Sequence, residues 1–293
     1  MYIFETEYHR YLTIFEEYAE GYCQKLKTEP SILGESMKYS LMQGGKRIRP
    51  VLALACVEML GVDFSEILPF ALAIEMIHTH SLIHDDLPAL DNDDFRRGKP
   101  SNHKKYGEAI AVLAGDALLN TAYSVCLDEC YKGEKQIVAT KYLNECTGIS
   151  GMLAGQVADM QFEKANENVS DADVLAVYEK KTVKLILAPM VIASILSGNK
   201  NYLPIEHLGK NLGMLFQVTD DILDEIGDAA TLGKSIGKDK KANKLTSIRL
   251  YQLEGAKVIA ESLARVCHVI IESITGETQF LHDLVDYILT RVS

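Results

Sequence analysis

Apolar residues recur along this chain at intervals of three and four, as in Leu52, Cys56, Met59 and Leu60, or Val174, Leu175, Tyr178 and Leu185. Alternation of period two is scarce. Three-and-four spacing returns side chains to one side of an α-helix. Strong helix formers fill the intervals, and only 7 prolines and 20 glycines interrupt 293 residues. The pattern predicts an all-α chain with helices of about 12 to 25 residues. Residues 70–83 and 185–196 are apolar around most of a helical circumference, which suits the interior of a large bundle. Ser170 and Asp171 read as a helix start. No linker or low-complexity tract divides residues 1–293, so a single domain is expected.

Charge narrows the function. Asp plus Glu is 41 against 30 for Lys plus Arg, a net of −11, which makes a general nucleic-acid binder a poor fit. The acidity is concentrated. DDLPALDNDD at 85–94 and DDILDEIGD at 220–228 hold five acids each, and without them 31 acids face 30 bases. The acidic N-terminus has no presequence character. The run at 185–195, interrupted by Pro189 and Ser194, is short of the ~20 residues of a spanning helix. A soluble cytoplasmic chain without a membrane span is expected. Cys23, Cys56, Cys126, Cys130, Cys146 and Cys267 form no CxxC pair, which suits reduced, mostly buried thiols. Cys126 and Cys130 share a helical face, but nothing completes a metal site around them.

The two acidic segments carry the chemistry. Asp220 and Asp224 are four apart and share a helix face. At an effective dielectric near 20, two carboxylates about 6 Å apart repel by roughly 3 kcal/mol. Apolar flanks such as Leu215, Val218 and Ile222 surround them, so hard-oxygen ligation of Mg²⁺ competes with a solvated acidic helix as the reading. The second segment, SLIHDDLPALD, repeats the apolar approach. Asp85 and Asp91 are six apart, which a regular helix does not align, but Pro88 between them should distort the helix and bring Asp91 back. An EF-hand over 91–102 fails, with Phe95, Arg96 and Asn102 at its fifth, sixth and twelfth positions. Cations stand nearby: Lys46, Arg47 and Arg49 in GGKRIRP, Arg96 and Arg97, Lys180, Lys181 and Lys184, and Lys234 and Lys238. Each group alone would also fit a solvated patch, and no P-loop or dinucleotide fingerprint is present. Carboxylates for Mg²⁺, scattered cations and apolar helices together suggest a substrate with a diphosphate head and a hydrocarbon tail.

With these motifs in order, the chain resembles the trans-isoprenyl diphosphate synthases, of the bacterial short-chain farnesyl type. The resemblance runs from about Ser40 to Lys244 through GGKRIRP, the block from Ile77 to Glu108, LAGDALL, GMLAGQVADM, EKKT, and FQVTDDILDEIGD followed by TLGK. It implies a helical bundle around a deep central cavity, a homodimer, Mg²⁺, and condensation of isopentenyl diphosphate with an allylic diphosphate. It also implies roles. Asp85, Asp91 and Asp220 would hold metal, with Asp86, Asp221 and Asp224 in support. Gly45, Lys46, Arg49, His78 and Arg97 would serve isopentenyl diphosphate. Arg96, Lys181, Thr182, Gln217 and Lys234 would hold or stabilise the allylic partner. His78 as a packed core histidine is the competing reading, and His84 reads as structural. His80 and Ser81, about one turn before Asp85, would form a floor under the growing chain. Histidine there, where an aromatic residue is usual, favours a farnesyl product and leaves geranylgeranyl as the alternative.

Three positions depart from the family pattern: Val183 after Lys181-Thr182, Ala154 before Gly155, and NKLTSI from Asn243, which leaves Lys244 without a role. A non-catalytic subunit would be expected to lose aspartates that this chain keeps. A terpene cyclase would replace aspartates of DDILD by Asn and Ser.

Overall fold

Local signals set where the helices of this computed structural model begin and end, over the described residues 2–164, 170–199, 201–226 and 246–292. The first helices are α1 (Phe4–Lys25), α2 (Ser31–Leu41), α3 (Ile48–Met59) and α4 (Phe64–Asp85). Asp63 caps α4 by accepting the Ser65 N–H at 2.8 Å, and α4 ends three residues before Pro88. A short α5 (Asn102–Tyr106) leads into α6 (Glu108–Cys130), α7 (Glu134–Thr147) and α8 (Met152–Lys164). Ser170 and Asp173 form a reciprocal capping box at the start of α9 (Asp171–Tyr178). A π-helical turn (Glu179–Val183) joins α9 to α10 (Lys184–Ser197), which stops at Gly198 in the left-handed region. The chain continues with α11 (Leu203–Ile226), α12 (Ser247–Glu272), kinked at Gln252, and α13 (Gln279–Thr290).

The expected bundle forms. Helices α4 and α10 are its interior, with Phe70, Leu72, Ile74, Ile186, Val191 and Ile192 fully buried. Around α4 pack α3, α6 and α10, while α11 packs on α10 and α12. Buried residues from α1 through α13 belong to one continuous core. The six cysteines are unpaired, and all but Cys130 are buried.

Three features differ from the sequence expectation. First, β1 (Phe95–Arg96) and β2 (Lys99–Pro100) pair antiparallel across Arg97-Gly98, both at positive φ. A two-residue turn of that kind needs no alternating pattern to announce it. Second, the run at 185–195 is not the most membrane-like segment. Helix α6 is long and apolar enough to cross a membrane by length and composition, with mean hydropathy 1.5 over an 18-residue window. Polar Asp116 and Asn120 interrupt its apolar run without lowering that mean enough. In the bundle, α6 buries Ala111, Ala114, Gly115, Leu118 and Ala122 and packs against α4. Third, the EKKTV segment is π-helical rather than α-helical. Two glycines clamp that turn. A Cβ on Gly155 of α8 would lie 2.3 Å from the Lys181 backbone N, and one on Gly213 of α11 would lie 2.9 Å from Val183 Cα. Only glycine permits both approaches.

Candidate active site

The C-terminal half of α4 runs along a cavity of ≈ 260 Å³ whose lining includes seven residues singled out from the sequence: Arg49, His78, His80, Ser81, Asp85, Lys181 and Thr182. Leu82, Leu153 and Leu185 contribute apolar surface to the same space. Cationic and carboxylate groups thus share one hollow with hydrocarbon.

One corner is built by the glycine loop before α3. Gly44 and Gly45 have φ of 83° and 117°, conformations open to glycine. Where a Gly45 side chain would stand lies the Arg97 guanidinium, 2.6 Å away at Cζ, and Arg97 donates to the Gly44 carbonyl. Tyr8 donates its hydroxyl proton to the Lys46 carbonyl at 2.5 Å. The absence of a side chain at Gly45 thus leaves room for the Arg97 guanidinium. Burial lowers the pKa of Arg49, opposed by Glu75 and Asp220, and brings Arg97 down to about 10. Lys46 is lowered by burial and by Arg291. His78 is held well below its ordinary value by burial and then by Arg49, Arg97, Arg47 and Arg96. It is neutral among arginines, so it can hydrogen-bond an anion without adding charge.

After α4 the chain doubles back. Asp91 N–H donates to the Asp85 carbonyl at 2.8 Å, and Asp93 N–H to the Asp86 carbonyl at 3.1 Å. Asp91 returns to Asp85, as the distortion at Pro88 predicts. Asp86 is buried and accepts from Arg96, whose Nε lies 3.1 Å from Oδ1. Burial raises the Asp86 pKa while Arg96 opposes the rise. Burial also works against the Arg96 charge, but Asp86, Asp85 and Asp91 hold its pKa above the ordinary value. Asp86 thus tethers Arg96 to this loop.

The π-turn lines the same cavity through Lys181 and Thr182, and α11 packs on that turn without lining the cavity itself. Thr182 donates to Gln217 Oε1 at 2.7 Å, and Gln217 Nε2 donates to Asp221 Oδ1 at 2.8 Å. With its proton committed, Thr182 Oγ1 keeps its lone pairs for the cavity. Lys181 Nζ donates to Asp159 at 2.5 Å. Asp221 is buried and also accepts from Tyr178 and from the Ser247 N–H and hydroxyl, both 2.8 Å away. Burial raises its pKa to about 6. Asp224 is buried like Asp221, while Asp220 accepts from Arg291 Nη2 at 2.8 Å. Lys234 lies outside the described residues.

The two residues expected to form the floor are both tied to backbone carbonyls. His80 Nδ1 donates to the Gly115 carbonyl at 3.1 Å, and its ring meets His84 edge-on at 4.5 Å. Burial and His84 lower its pKa to about 4. His84 Nε2 donates to the Val112 carbonyl at 3.1 Å. A Cβ on Gly115 would be 2.2 Å from that ring. Ser81 donates to the His78 carbonyl at 2.9 Å.

The model of the polyprenyl synthetase family matches residues 30–275. The chain belongs to that family. A farnesyl diphosphate synthase of Micrococcus luteus is 40% identical over 275 residues, covering 93% of this chain and 94% of its own. A chloroplastic geranylgeranyl pyrophosphate synthase of Arabidopsis thaliana is 45% identical over 244 residues, covering 81% and 68%. The crystal structure of a Helicobacter pylori geranyltransferase complexed with magnesium and isoprenyl diphosphate superposes with a TM-score of 0.86 at 30% identity, covering 99% of this chain and 97% of that one. This polyprenyl synthetase is a prenyltransferase.

Two residues of the site went unnoticed in the sequence. Asp159, in GQVAD, holds Lys181, and its place in a motif could have exposed it. Arg291 reaches Asp220 from 71 residues away, over the Phe216 ring, with Nη1 buried and lacking a hydrogen-bond partner among the described residues. No local pattern marks it.

Proposed function

We propose that this prenyltransferase joins isopentenyl diphosphate head-to-tail to dimethylallyl and then geranyl diphosphate, giving farnesyl diphosphate and free diphosphate. The observation that carries the reading is one cavity in which cations and Asp85 share an apolar hollow with His80 and Ser81.

The donor set fits Mg²⁺. Asp85, Asp91 and Asp220 are hard oxygen donors, two of them brought together by the loop after α4. Mg²⁺ usually completes its shell with water and phosphate oxygens, so these carboxylates need not enclose it. When bound, Mg²⁺ supplies electrostatic stabilisation of the departing diphosphate.

The residues divide the remaining work. Lys46, Arg49 and Arg97 offer cations to isopentenyl diphosphate, and neutral His78 offers a hydrogen bond. Arg96 and Lys181 neutralise the allylic diphosphate, with Lys234 assigned there from the family motif. Charge develops as the allylic C–O bond ionises, and losing one preorganised stabiliser of that kind costs about 2.7–4 kcal/mol of barrier. Thr182 and Gln217 present oxygen dipoles to the allylic cation without a nucleophilic anion. Apolar side chains exclude water from it. The isopentenyl double bond attacks the cation, and the final proton passes to the released diphosphate.

A homodimer in the cytoplasm belongs to this reading. Val112, Leu113 and Leu127 are exposed on α6 within an arc of about 100°, and a second copy would cover them. A geranylgeranyl product is the second reading, favoured by the 45% identical relative. Incubating the pure protein with Mg²⁺, isopentenyl diphosphate and geranyl diphosphate tests both. A C15 product is expected, a C20 end product favours the second reading, and no condensation sinks both.

A further inference from the structure

The cationic corner has an anion built into its foundation. Arg47 is 3% exposed and caps α3 at φ 50°, ψ 35°. A bulky side chain enters that left-handed region only when its surroundings hold it there. Here the guanidinium is held at both ends. Nη1 donates to Glu75 Oε1 at 2.7 Å, and Nη2 to the Leu41 carbonyl at 2.5 Å. The side chains of Arg47 and Glu75 are 1% and 2% exposed. Glu75 sits on α4 three residues before His78, and hence on the same side of the helix.

We infer that Glu75, acting through Arg47, is a positioning residue for the diphosphate of isopentenyl diphosphate. This rests on the reading that assigns Lys46, Arg49, His78 and Arg97 to that substrate. Arg47 lies between Lys46 and the first turn of α3, so fixing its backbone fixes the directions of Lys46 and Arg49. The strut ties that loop to α4, which carries His78. It therefore sets the spacing between groups on two separate elements. Glu75 also supplies negative charge that favours the ionised forms of Arg49 and Arg97, which burial alone disfavours. The strut thus aims the cations before the substrate arrives, which is preorganisation. Removing the carboxylate makes the corner more positive. If charge alone mattered, that change would tighten diphosphate binding. Loss of aim acts in the opposite direction, so the sign of the effect separates the two.

The test compares steady-state constants for isopentenyl and geranyl diphosphate in four variants. Glu75→Leu is expected to raise KM for isopentenyl diphosphate by about tenfold or more, with kcat and the geranyl diphosphate KM changed less than about threefold. Glu75→Gln keeps an oxygen acceptor for Arg47 and is expected to lie nearer the wild type. In Glu75→Leu the buried Arg47 keeps only the half-exposed Glu16, 3.8 Å from its Nε, which could prevent folding, so Arg47→Met/Glu75→Leu removes both members of the buried pair. It is expected to fold by circular dichroism and to retain the raised KM. A wild-type KM for isopentenyl diphosphate in that double variant, or equal changes for the two substrates, overturns the inference. Arg49→Met checks the underlying assignment. If it leaves KM for isopentenyl diphosphate unaltered, the assignment fails and the inference with it. If it raises that KM while Glu75→Leu does not, the inference alone fails.

Discussion

His80 shows how much one side chain decides. Its Nδ1–H is committed to the Gly115 carbonyl and its ring abuts His84, so it stands as a fixed obstacle in the cavity. His80→Ala is expected to lengthen the product, and chromatography of the prenyl chain checks it. The same residue has a pH signature. Unfolded histidine titrates near 6.5, but folded His80 takes a proton only at about 4. Its contribution to stability is therefore complete above about pH 6.5 and is lost as pH falls through about 4. Asp221 acts with the opposite sign. Its folded pKa, about 6, lies above the unfolded value, so its contribution is present at low pH and lost as pH rises through 6. His80→Ala should accordingly lose less melting temperature than the wild type between pH 7 and 4.5, by circular dichroism. The aspartates make a sharper case. Asp85→Ala or Asp220→Ala is expected to lower kcat by a factor of about 100 or more, from a barrier increase of about 2.7–4 kcal/mol, with unchanged helicity. A radiolabelled isopentenyl diphosphate assay measures it. These residues were legible because carboxylates flanked by apolar helix are conspicuous in sequence. Arg291 was not, because only the packing of α13 on α11 brings it to Asp220.

At the scale of elements, the α-helical pattern was legible and its interruptions were not. Pro88 marks the break after α4 because its ring lacks an N–H and disfavours helical backbone at Leu87, although Pro69 and Pro189 are carried within α4 and α10. The π-turn has no such marker. EKKTV reads as ordinary helix, and what imposes the turn is contact with glycines on two other helices. The two kinds of glycine predict opposite outcomes. Alanine in an open helix interior gains up to about 1 kcal/mol over glycine. Gly21 of α1 has nothing within 4 Å of a Cβ, so Gly21→Ala should raise the melting temperature slightly. Gly155→Ala drives its methyl group against the Lys181 backbone, where the gain is outweighed by overpacking of about 1–3 kcal/mol. The π-turn must then shift, and Lys181 and Thr182 with it. Gly155→Ala is expected to melt earlier and to lose kcat. Melting curves and single-turnover rates for the two variants together distinguish a displaced catalytic turn from a generally weakened fold.

The molecule as a whole has an outer face that the bundle leaves unused. On α6 the inward side is small and buried, while Val112, Leu113 and Leu127 are 39%, 54% and 58% exposed on the other side. Inward packing explains why the helix is apolar on one side but not why it stays apolar on the other. The periodicity that revealed the bundle could not separate these two faces, since both read as hydrophobic. A second copy applied to α6 would bury this face. It would also cover the backside of the product cavity, because Val112 carries the carbonyl that pins His84 and His84 lines the hollow. Glutamate at Leu113 and Leu127 together places charges where no partner side chain compensates them, and buried unpaired charge is strongly unfavourable at an interface. If α6 is the face of the proposed homodimer, the wild type is expected to sediment at twice 32.5 kDa and Leu113→Glu/Leu127→Glu at 32.5 kDa under the same conditions. Since both substituted positions are solvent-exposed in the single chain, helicity should be retained. If product length also becomes less uniform in the monomer, the second copy is bracing the cavity as well as covering the helix.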